Sequence, residues 1–293
     1  MTRSDPRKGE FTITSLEDYL SCKRLYYYRK ILGLLPKEAN TAAHFGSSIH
    51  AGVGTYYKAR LQEGPDKAYL TGIQAFSAVW ASEQVMPDSK RNLDTGLEIL
   101  SRYFEAYKGD GNNFIPDLIE SPFTVIMPNG TTLNGRLDRV ERVKDFITVI
   151  DTKTSSMALT DWYFKSYNNS FQISGYFYAV SQLCGDCDCI LIDGIKVPYS
   201  APTVRKPEQD NFVRRTFQRS ELQMAEFINT YDRITNDILF MLKTNPAKPE
   251  HFHQCPTACG NYGGCKFLPI CMHGFDHPAV KDEFVTKEVE VTE

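Results

Sequence analysis

Residues 133–153 read LNGRLDRVERVKDFITVIDTK, two alternating stretches separated by Lys144-Asp145. The period of two predicts β-strands over roughly 133–143 and 146–153, joined by a two-residue turn. On the second strand Ile147, Val149, Asp151 and Lys153 share one face, because strand side chains alternate. A two-residue turn sets Val140 opposite Val149 and Asp138 opposite Asp151. Two carboxylates facing each other across a ladder repel, and burial raises the cost. A divalent cation between them removes the conflict. Lys153, two residues beyond Asp151, can then meet a phosphate or a water. The plain alternative is a solvated hairpin face with ordinary charges.

The flanking chain supplies further elements. FTITSLEDYLSCKRLYYYRK, from residue 11, predicts one helix, with Ser15 and Asp18 as an acidic version of the capping box and Cys22 inside it. Residues 44–109 predict mostly helix: Phe45, Ile49 and Val53 form an i, i+4, i+8 stripe with His50 beside it. Gly46, one turn before His50, allows close approach to a sheet. Helices over 66–87 and 92–109 serve as scaffold. A strand is expected at 120–127, followed by the hairpin signal Asn129-Gly130. Thr160 is positioned to cap a helix running to about 182, which carries Gln172 and Tyr176 one turn apart. CILIDGIKV at 189–197 predicts a strand, preceded by Cys184, Cys187 and Cys189, which read as a thiol cluster at a helix-to-strand junction. Residues 211–218 predict an edge strand with Arg214 and Arg215, and Ser220 with Gln223 a capping box for a helix to about 243.

The whole chain has 293 residues, 42% hydrophobic and 24% charged, the profile of an ordinary globular protein able to bury a substantial core. No apolar run approaches the roughly 20 residues that span a bilayer, and MTRSDPRKGE lacks the apolar core of a signal peptide. An intracellular location is therefore expected, with no membrane partner. There, eight cysteines serve as metal ligands or free thiols rather than disulfides. A formal net charge of −3 excludes a globally basic nucleic-acid binder, so any DNA contact must use a local patch. Near the end, CPTACGNYGGCKFLPIC holds Cys255, Cys259, Cys265 and Cys271, a strong metal signal that by itself reads as a four-cysteine zinc site.

GRLDRV at 135–140 followed by VIDTKTS at 149–155 resembles the paired acidic motifs of the PD-(D/E)XK nuclease superfamily, in its RecB/AddB-like branch. GSSIH, ending at His50, and QISGY, from Gln172 to Tyr176, occupy the places of that branch's earlier histidine and its Gln-x-x-x-Tyr motif. The resemblance implies an α/β fold: a mixed central sheet flanked by helices, with a helical insertion and an iron–sulfur clamp joining the N- and C-terminal parts. It implies Mg²⁺ or Mn²⁺ held by Asp138, Asp151, the main-chain carbonyl of Thr152 and His50. Lys153 would orient the attacking water or offset charge on the phosphate, and Gln172 and Tyr176 would steady the phosphate or Lys153. It also implies a [4Fe–4S] cluster on Cys22, Cys259, Cys265 and Cys271, leaving Cys255 as a spare or alternative ligand. The organisation is then a mobile leader (1–10), one nuclease domain (11–273) and a mobile acidic tail (274–293). Within the domain lie a helical segment (44–110), a catalytic sheet core (120–218) and a cysteine loop (255–271).

The function implied is a metal-dependent DNA nuclease, an exonuclease acting on single-stranded ends, similar to the iron–sulfur exonucleases of the AddB and CRISPR-adaptation types. The sequence has no ATP-binding P-loop, so a helicase or recombination motor would be a partner. Lys23, Arg24, Arg136, Arg139, Arg214 and Arg215 are candidates for DNA backbone contacts, and Tyr26–Tyr28 for base stacking. The second reading is a non-catalytic nucleic-acid-binding or scaffold protein with a structural four-cysteine zinc. A scaffold has no need of Asp138, Asp151 and Lys153 together.

Overall fold

The structure is a computed structural model and describes residues 4–201, 211–243, 248–260 and 264–286. β1 (Glu10–Thr12) leads into α1 (Ile13–Ser21). The cap of α1 is reciprocal: the Thr12 hydroxyl accepts the Ser15 N–H at 3.1 Å, and the Ser15 hydroxyl accepts the Thr12 N–H at 3.0 Å. Capping thus falls on Thr12 and Ser15 rather than on Ser15 and Asp18. Asp18 is buried instead and pairs with Arg29 at 2.7 Å. α2 (Lys23–Tyr26) and a π turn over Tyr27–Ile31 follow, then β2 (Leu34–Pro36). The single helix expected here is broken at Cys22, which is extended with φ −160° and ψ 116°.

Three helices come next: α3 (Thr41–Glu63), α4 (Pro65–Ala81) and α5 (Leu93–Ala106). Asn40 and Asn92 cap α3 and α5 through their side-chain oxygens, and Pro65 opens α4 where its missing N–H is harmless. β3 (Ser121–Ile126) and β4 (Thr132–Leu137) flank the expected turn, with Gly130 at φ 82°. β5 (Arg139–Val143) and β6 (Phe146–Ser155) form the hairpin across Lys144-Asp145. The helix expected over 160–182 is two helices, α6 (Asp161–Lys165) and α7 (Phe171–Cys184). Thr160 precedes α6 without a side-chain cap bond, whereas the Ser170 hydroxyl caps α7. β7 (Cys189–Lys196) and β8 (Phe212–Phe217) precede α8 (Glu221–Lys243), where Ser220 and Gln223 bond each other's main-chain N–H as expected. α9 (Leu268–His273), α10 (Pro278–Lys281) and β9 (Phe284–Thr286) complete the described chain.

The chain divides into two compact units, one of Met1–Glu38, Thr124–Gly135 and Ala225–Glu293, the other of Ala39–Phe123 and Arg136–Met224. In the first, β1 lies parallel to β4, with Phe11 beside Leu133, and β2 pairs antiparallel with β9. Segments expected to be mobile are partly structured: Pro6 is buried in a 3-10 turn over Pro6–Lys8, and β9 lies in the tail. Residues 1–3 and 287–293 lie outside the described residues.

The second unit holds the mixed sheet β5-β6-β7-β8. β6 runs antiparallel to β5 and parallel to β7, and the crossover between β6 and β7 carries α6 and α7, as a parallel pair requires. β8 is the expected edge strand, antiparallel to β7. Phe45, Ile49 and Val53 of α3 are buried with Phe76, Leu100 and Phe104 and with the sheet residues Ile150 and Ile195. Each fully buried side chain of this kind contributes about 1.5–3 kcal/mol. A Cβ on Gly46 would stand 3.3 Å from the Thr154 hydroxyl, so α3 meets β6 closely there. Among the described residues no helix is long and apolar enough to cross a membrane.

Candidate active site

The β5–β6 ladder has the expected register, Val140 against Val149, but ends at Arg139 against Ile150. Asp138 therefore does not face Asp151 as a ladder pair. It is the corner residue between β4 and β5, where the chain leaves one sheet and joins the next. Freed from the ladder, its Oδ2 accepts the main-chain N–H of Thr152 at 2.7 Å and stands 3.1 Å from Nδ1 of His50. The Ile147 carbonyl accepts from Asp188, on the β7 side, so alternation turns the N–H and C=O of Thr152 toward β5. There β5 has already ended, and the Thr152 carbonyl is directed to the Asp138 side.

Asp151 and Lys153 lie on the same strand face. Lys153 Nζ bonds Oδ1 of Asp151 at 3.0 Å. It also lies 2.7 Å from Oδ2, but outside hydrogen-bond geometry, so Oδ2 is buried without a hydrogen-bond partner. Burial raises the Asp151 carboxyl and the Asp138 charge adds to it, against Lys153 and His50. Burial works on Asp138 in the same sense, but His50, Lys153 and the Thr152 N–H outweigh it and hold this carboxyl low. His50 and Lys153 are pushed down by burial, yet the two carboxylates leave both raised. The four groups balance one another's charge, and the buried Asp151 carboxylate, one oxygen of which makes no hydrogen bond, together with the Asp138–His50 carboxylate–imidazole pair fits a divalent cation.

Glu120 belongs to the same place and is not singled out by the sequence. Residues 113–120 run beside β5: Asn113 accepts the Arg142 N–H, Val140 the Ile115 N–H, and Asp138 the Glu120 N–H at 2.8 Å. One ligand atom from each of His50, Glu120 and Asp138 lies within 4.8 Å of the others. Burial raises the Glu120 carboxyl, with Asp138 adding and Arg136 and His50 opposing. Its one sequence signal is indirect: Gly46, His50 and Gly54 recur every fourth residue, marking a helix face kept clear on both sides of the histidine.

On α7, the Gln172 amide donates to the Tyr176 hydroxyl at 3.3 Å, and the Tyr176 ring stands edge-on to Phe123. The basic residues divide differently from expectation. Arg139 is buried, bonding Thr152 Oγ1 at 2.9 Å and the Asp193 carboxylate, with its guanidinium 4.4 Å from the Tyr57 ring. Arg214 bonds Asp193 and Asp110 at 3.2 and 2.9 Å. Burial takes Arg139 away from any DNA contact, and the partly buried Arg214 is already occupied by the two carboxylates. Lys23 pairs with Asp237 at 2.6 Å, and Arg24 bonds the carbonyl of Phe252. Tyr26, Tyr27 and Tyr28 are buried against Phe252 and Phe267, which removes them as stacking surfaces. Arg136 and Arg215 keep exposed side chains.

In the first unit, the break at Cys22 brings its sulfur to the C-terminal cysteines: Sγ accepts the Cys255 main-chain N–H at 3.4 Å. Burial raises the Cys265 thiol, and the neighbouring Cys259 and Cys22 add to it. Burial also raises Cys271, opposed by the Tyr28 hydroxyl and Arg24, with Cys265 and Cys22 adding. The Cys255 sulfur instead meets the Thr257 hydroxyl at 3.2 Å. Cys187, between α7 and β7, and Cys189, the first residue of β7, are buried, and burial pushes both thiols up.

A model of the PD-(D/E)XK nuclease superfamily matches residues 10–272. The chain belongs to this superfamily. Its fold is similar to the crystal structure of a Eubacterium rectale protein described as a candidate exonuclease, at TM-score 0.52 and 12% identity over 96% of this chain and 91% of that one. SSO0001 is a more distant structure, at TM-score 0.32 and 15% identity over 79% of this chain and 84% of that one. No curated protein matches the sequence. For a PD-(D/E)XK nuclease the mixed sheet and its helices are the expected architecture, and nucleic acid is the substrate class.

Proposed function

We propose that this PD-(D/E)XK nuclease is a divalent-metal-dependent exonuclease acting on single-stranded DNA ends. The observation that carries the reading is the meeting of the buried carboxylates of Asp138 and Asp151 with the partly buried His50 and Lys153 around the end of β5. Asp138, Asp151, His50 and the Thr152 carbonyl would hold Mg²⁺ or Mn²⁺. When bound there, the ion supplies Lewis-acid polarisation of the phosphodiester. Lys153 keeps a positive charge in the enclosed site, where it orients the attacking water and offsets charge developing on the phosphate. Gln172 and Tyr176, bonded to each other on α7, steady the scissile phosphate. Arg136 and Arg215 remain as phosphate contacts. End-directed action is supported by the description of the similar Eubacterium rectale protein.

We also infer that Cys22, Cys259, Cys265 and Cys271 ligate a [4Fe–4S] cluster, as in RecB/AddB-like nucleases. Support comes from the Cys22 sulfur, which reaches the C-terminal cysteine loop and accepts the Cys255 main-chain N–H at 3.4 Å, while the Cys255 sulfur itself meets the Thr257 hydroxyl.

The test is a time course on 5′- and 3′-labelled single- and double-stranded DNA with Mn²⁺, Mg²⁺ or EDTA. Progressive shortening of single strands from an end, stopped by EDTA, is expected. Internal cuts in circular single strands would refute end-directed action, and an absence of cleavage would refute the nuclease assignment.

A further inference from the structure

Glu120 is positioned by three independent features. Its main-chain N–H is bonded to the carbonyl of Asp138, which fixes it to the corner residue of the site. Its backbone is left-handed, φ 50°, a conformation that a side chain with a Cβ rarely adopts without surrounding constraint. Its side chain also fills space that α3 leaves open: a Cβ on Gly54 would stand 2.3 Å from Glu120 Cγ and 2.9 Å from Oε1. Gly54 is one helical turn beyond His50, so the helix that presents the imidazole also makes room for the carboxylate.

The result is one nitrogen and two carboxylates whose ligand atoms lie within 4.8 Å of one another, while Asp151 Oδ2 is buried without a hydrogen bond and has the Lys153 ammonium 2.7 Å away. An octahedral ion with bonds of about 2.1 Å spaces its ligand atoms about 3 to 4.2 Å apart. A small closure would bring the three to that spacing, and His50 and Asp138 are at 3.1 Å already. Across from them, Arg136 Nε lies 3.3 Å from Oε2 of Glu120, and the Arg136 side chain is 41% exposed. A half-exposed guanidinium is a replaceable counter-ion: its carboxylate can exchange it for a more highly charged cation, and it can turn to another anion.

We propose that Glu120 is a further ligand of the cation beside His50 and Asp138, and that Arg136 is the counter-ion the cation displaces from it. The inference rests on the nuclease reading only in taking that a divalent cation binds here. Once displaced, Arg136 is available to a DNA phosphate next to the ion. Cation binding and substrate binding are thereby coupled through one carboxylate.

The probe is Mn²⁺ alone, titrated into the full chain without DNA and followed by the electron paramagnetic resonance of the free ion. Mn²⁺ suits a mixed imidazole and carboxylate set. Glu120→Gln keeps the size of the side chain and should weaken Mn²⁺ binding by roughly tenfold or more. Gly54→Ala, which pushes Glu120 aside, should weaken it in the same direction. Arg136→Gln should tighten Mn²⁺ binding, since the competitor is gone, while weakening single-stranded DNA binding in Mn²⁺. Asp138→Asn serves as the reference and should remove most of the binding. Wild-type affinity in Glu120→Gln, with binding lost in Asp138→Asn, overturns the inference and leaves the cation site standing. Wild-type affinity in Asp138→Asn overturns the cation site itself. Unchanged or weaker Mn²⁺ binding in Arg136→Gln overturns the exchange.

Discussion

Thr152 donates its main-chain N–H to the carboxylate of Asp138 across 2.7 Å, tying the corner between two sheets to the strand that carries Asp151 and Lys153. The bond makes Asp138 a structural as well as a chemical residue, and two substitutions separate the roles. Asp138→Asn keeps an oxygen that can accept from Thr152 and loses only the charge facing His50. Asp138→Ala also strands a buried N–H, which costs about 1–3 kcal/mol. Both variants should be inactive in cleavage, and urea unfolding should show Asp138→Ala the less stable by that amount. Equal stabilities would mean that the bond contributes nothing.

Partly buried Lys153 balances the buried carboxylate of Asp151. Asp151→Ala and Lys153→Ala should each abolish cleavage, with divalent-ion binding weakened in the first and largely kept in the second. Lys153→Ala also leaves a buried carboxylate unbalanced, and breaking such a pair costs about 3–5 kcal/mol. Melting with EDTA should therefore show Lys153→Ala strongly destabilised, and Mn²⁺ should recover much of the loss by replacing the missing charge. Robust cleavage by either variant would remove the catalytic assignment.

The cysteine set can be tested by iron. Cys22→Ser should lose iron and visible absorbance as completely as Cys265→Ser, whereas Cys255→Ser should be mild and the changes at Cys184, Cys187 or Cys189 silent. A disulfide typically contributes about 2–4 kcal/mol by constraining the unfolded chain, and a cluster joining the same segments should act in the same sense. The β2–β9 ladder already joins the two ends of the chain, so the drop in melting temperature should be moderate. Iron and zinc analysis after anaerobic purification decides the matter: full iron in Cys22→Ser, or zinc lost with Cys255, would favour the local zinc site.

A fourth prediction concerns pH. Asp193 is fully buried between Arg139 and Arg214. Burial works to raise its carboxyl, but the two guanidinium groups outweigh it, and the folded-state value lies below the ordinary one. Its stabilisation is therefore present above the unfolded value of about 3.9 and is lost as pH falls through the lower folded value. Asp193→Asn should cost about 3–5 kcal/mol near neutral pH. In urea titrations the gap to wild type should close below about pH 4. A gap that stays constant down to pH 2 would show that the charge is not what stabilises the network.

How legible these features were depends on how locally each is encoded. The Val140–Val149 register and the Ser220–Gln223 cap follow from patterns a few residues wide, and both formed as read. Cys22 did not: helical spacing runs unbroken through it, and the break serves the C-terminal loop more than two hundred residues away. Arg139 read as a candidate DNA backbone contact because its partner Asp193 arrives only with β7. Glu120 was invisible for the same reason. An acid at the start of a strand is ordinary until β5 and α3 close around it.

The interleaving of the two units sets an order of assembly during synthesis. The unit bearing His50, Glu120, Asp138, Asp151 and Lys153 ends at Met224, and Cys259, Cys265 and Cys271 emerge only afterwards. At roughly 5–20 residues per second, translation leaves an interval of seconds in which the first can fold before the last of the proposed cluster ligands exist. On the proposed assignment the cation site can therefore form before iron binds. Iron-starved cells should then accumulate chains with a formed cation site and an unfinished clamp rather than unfolded ones.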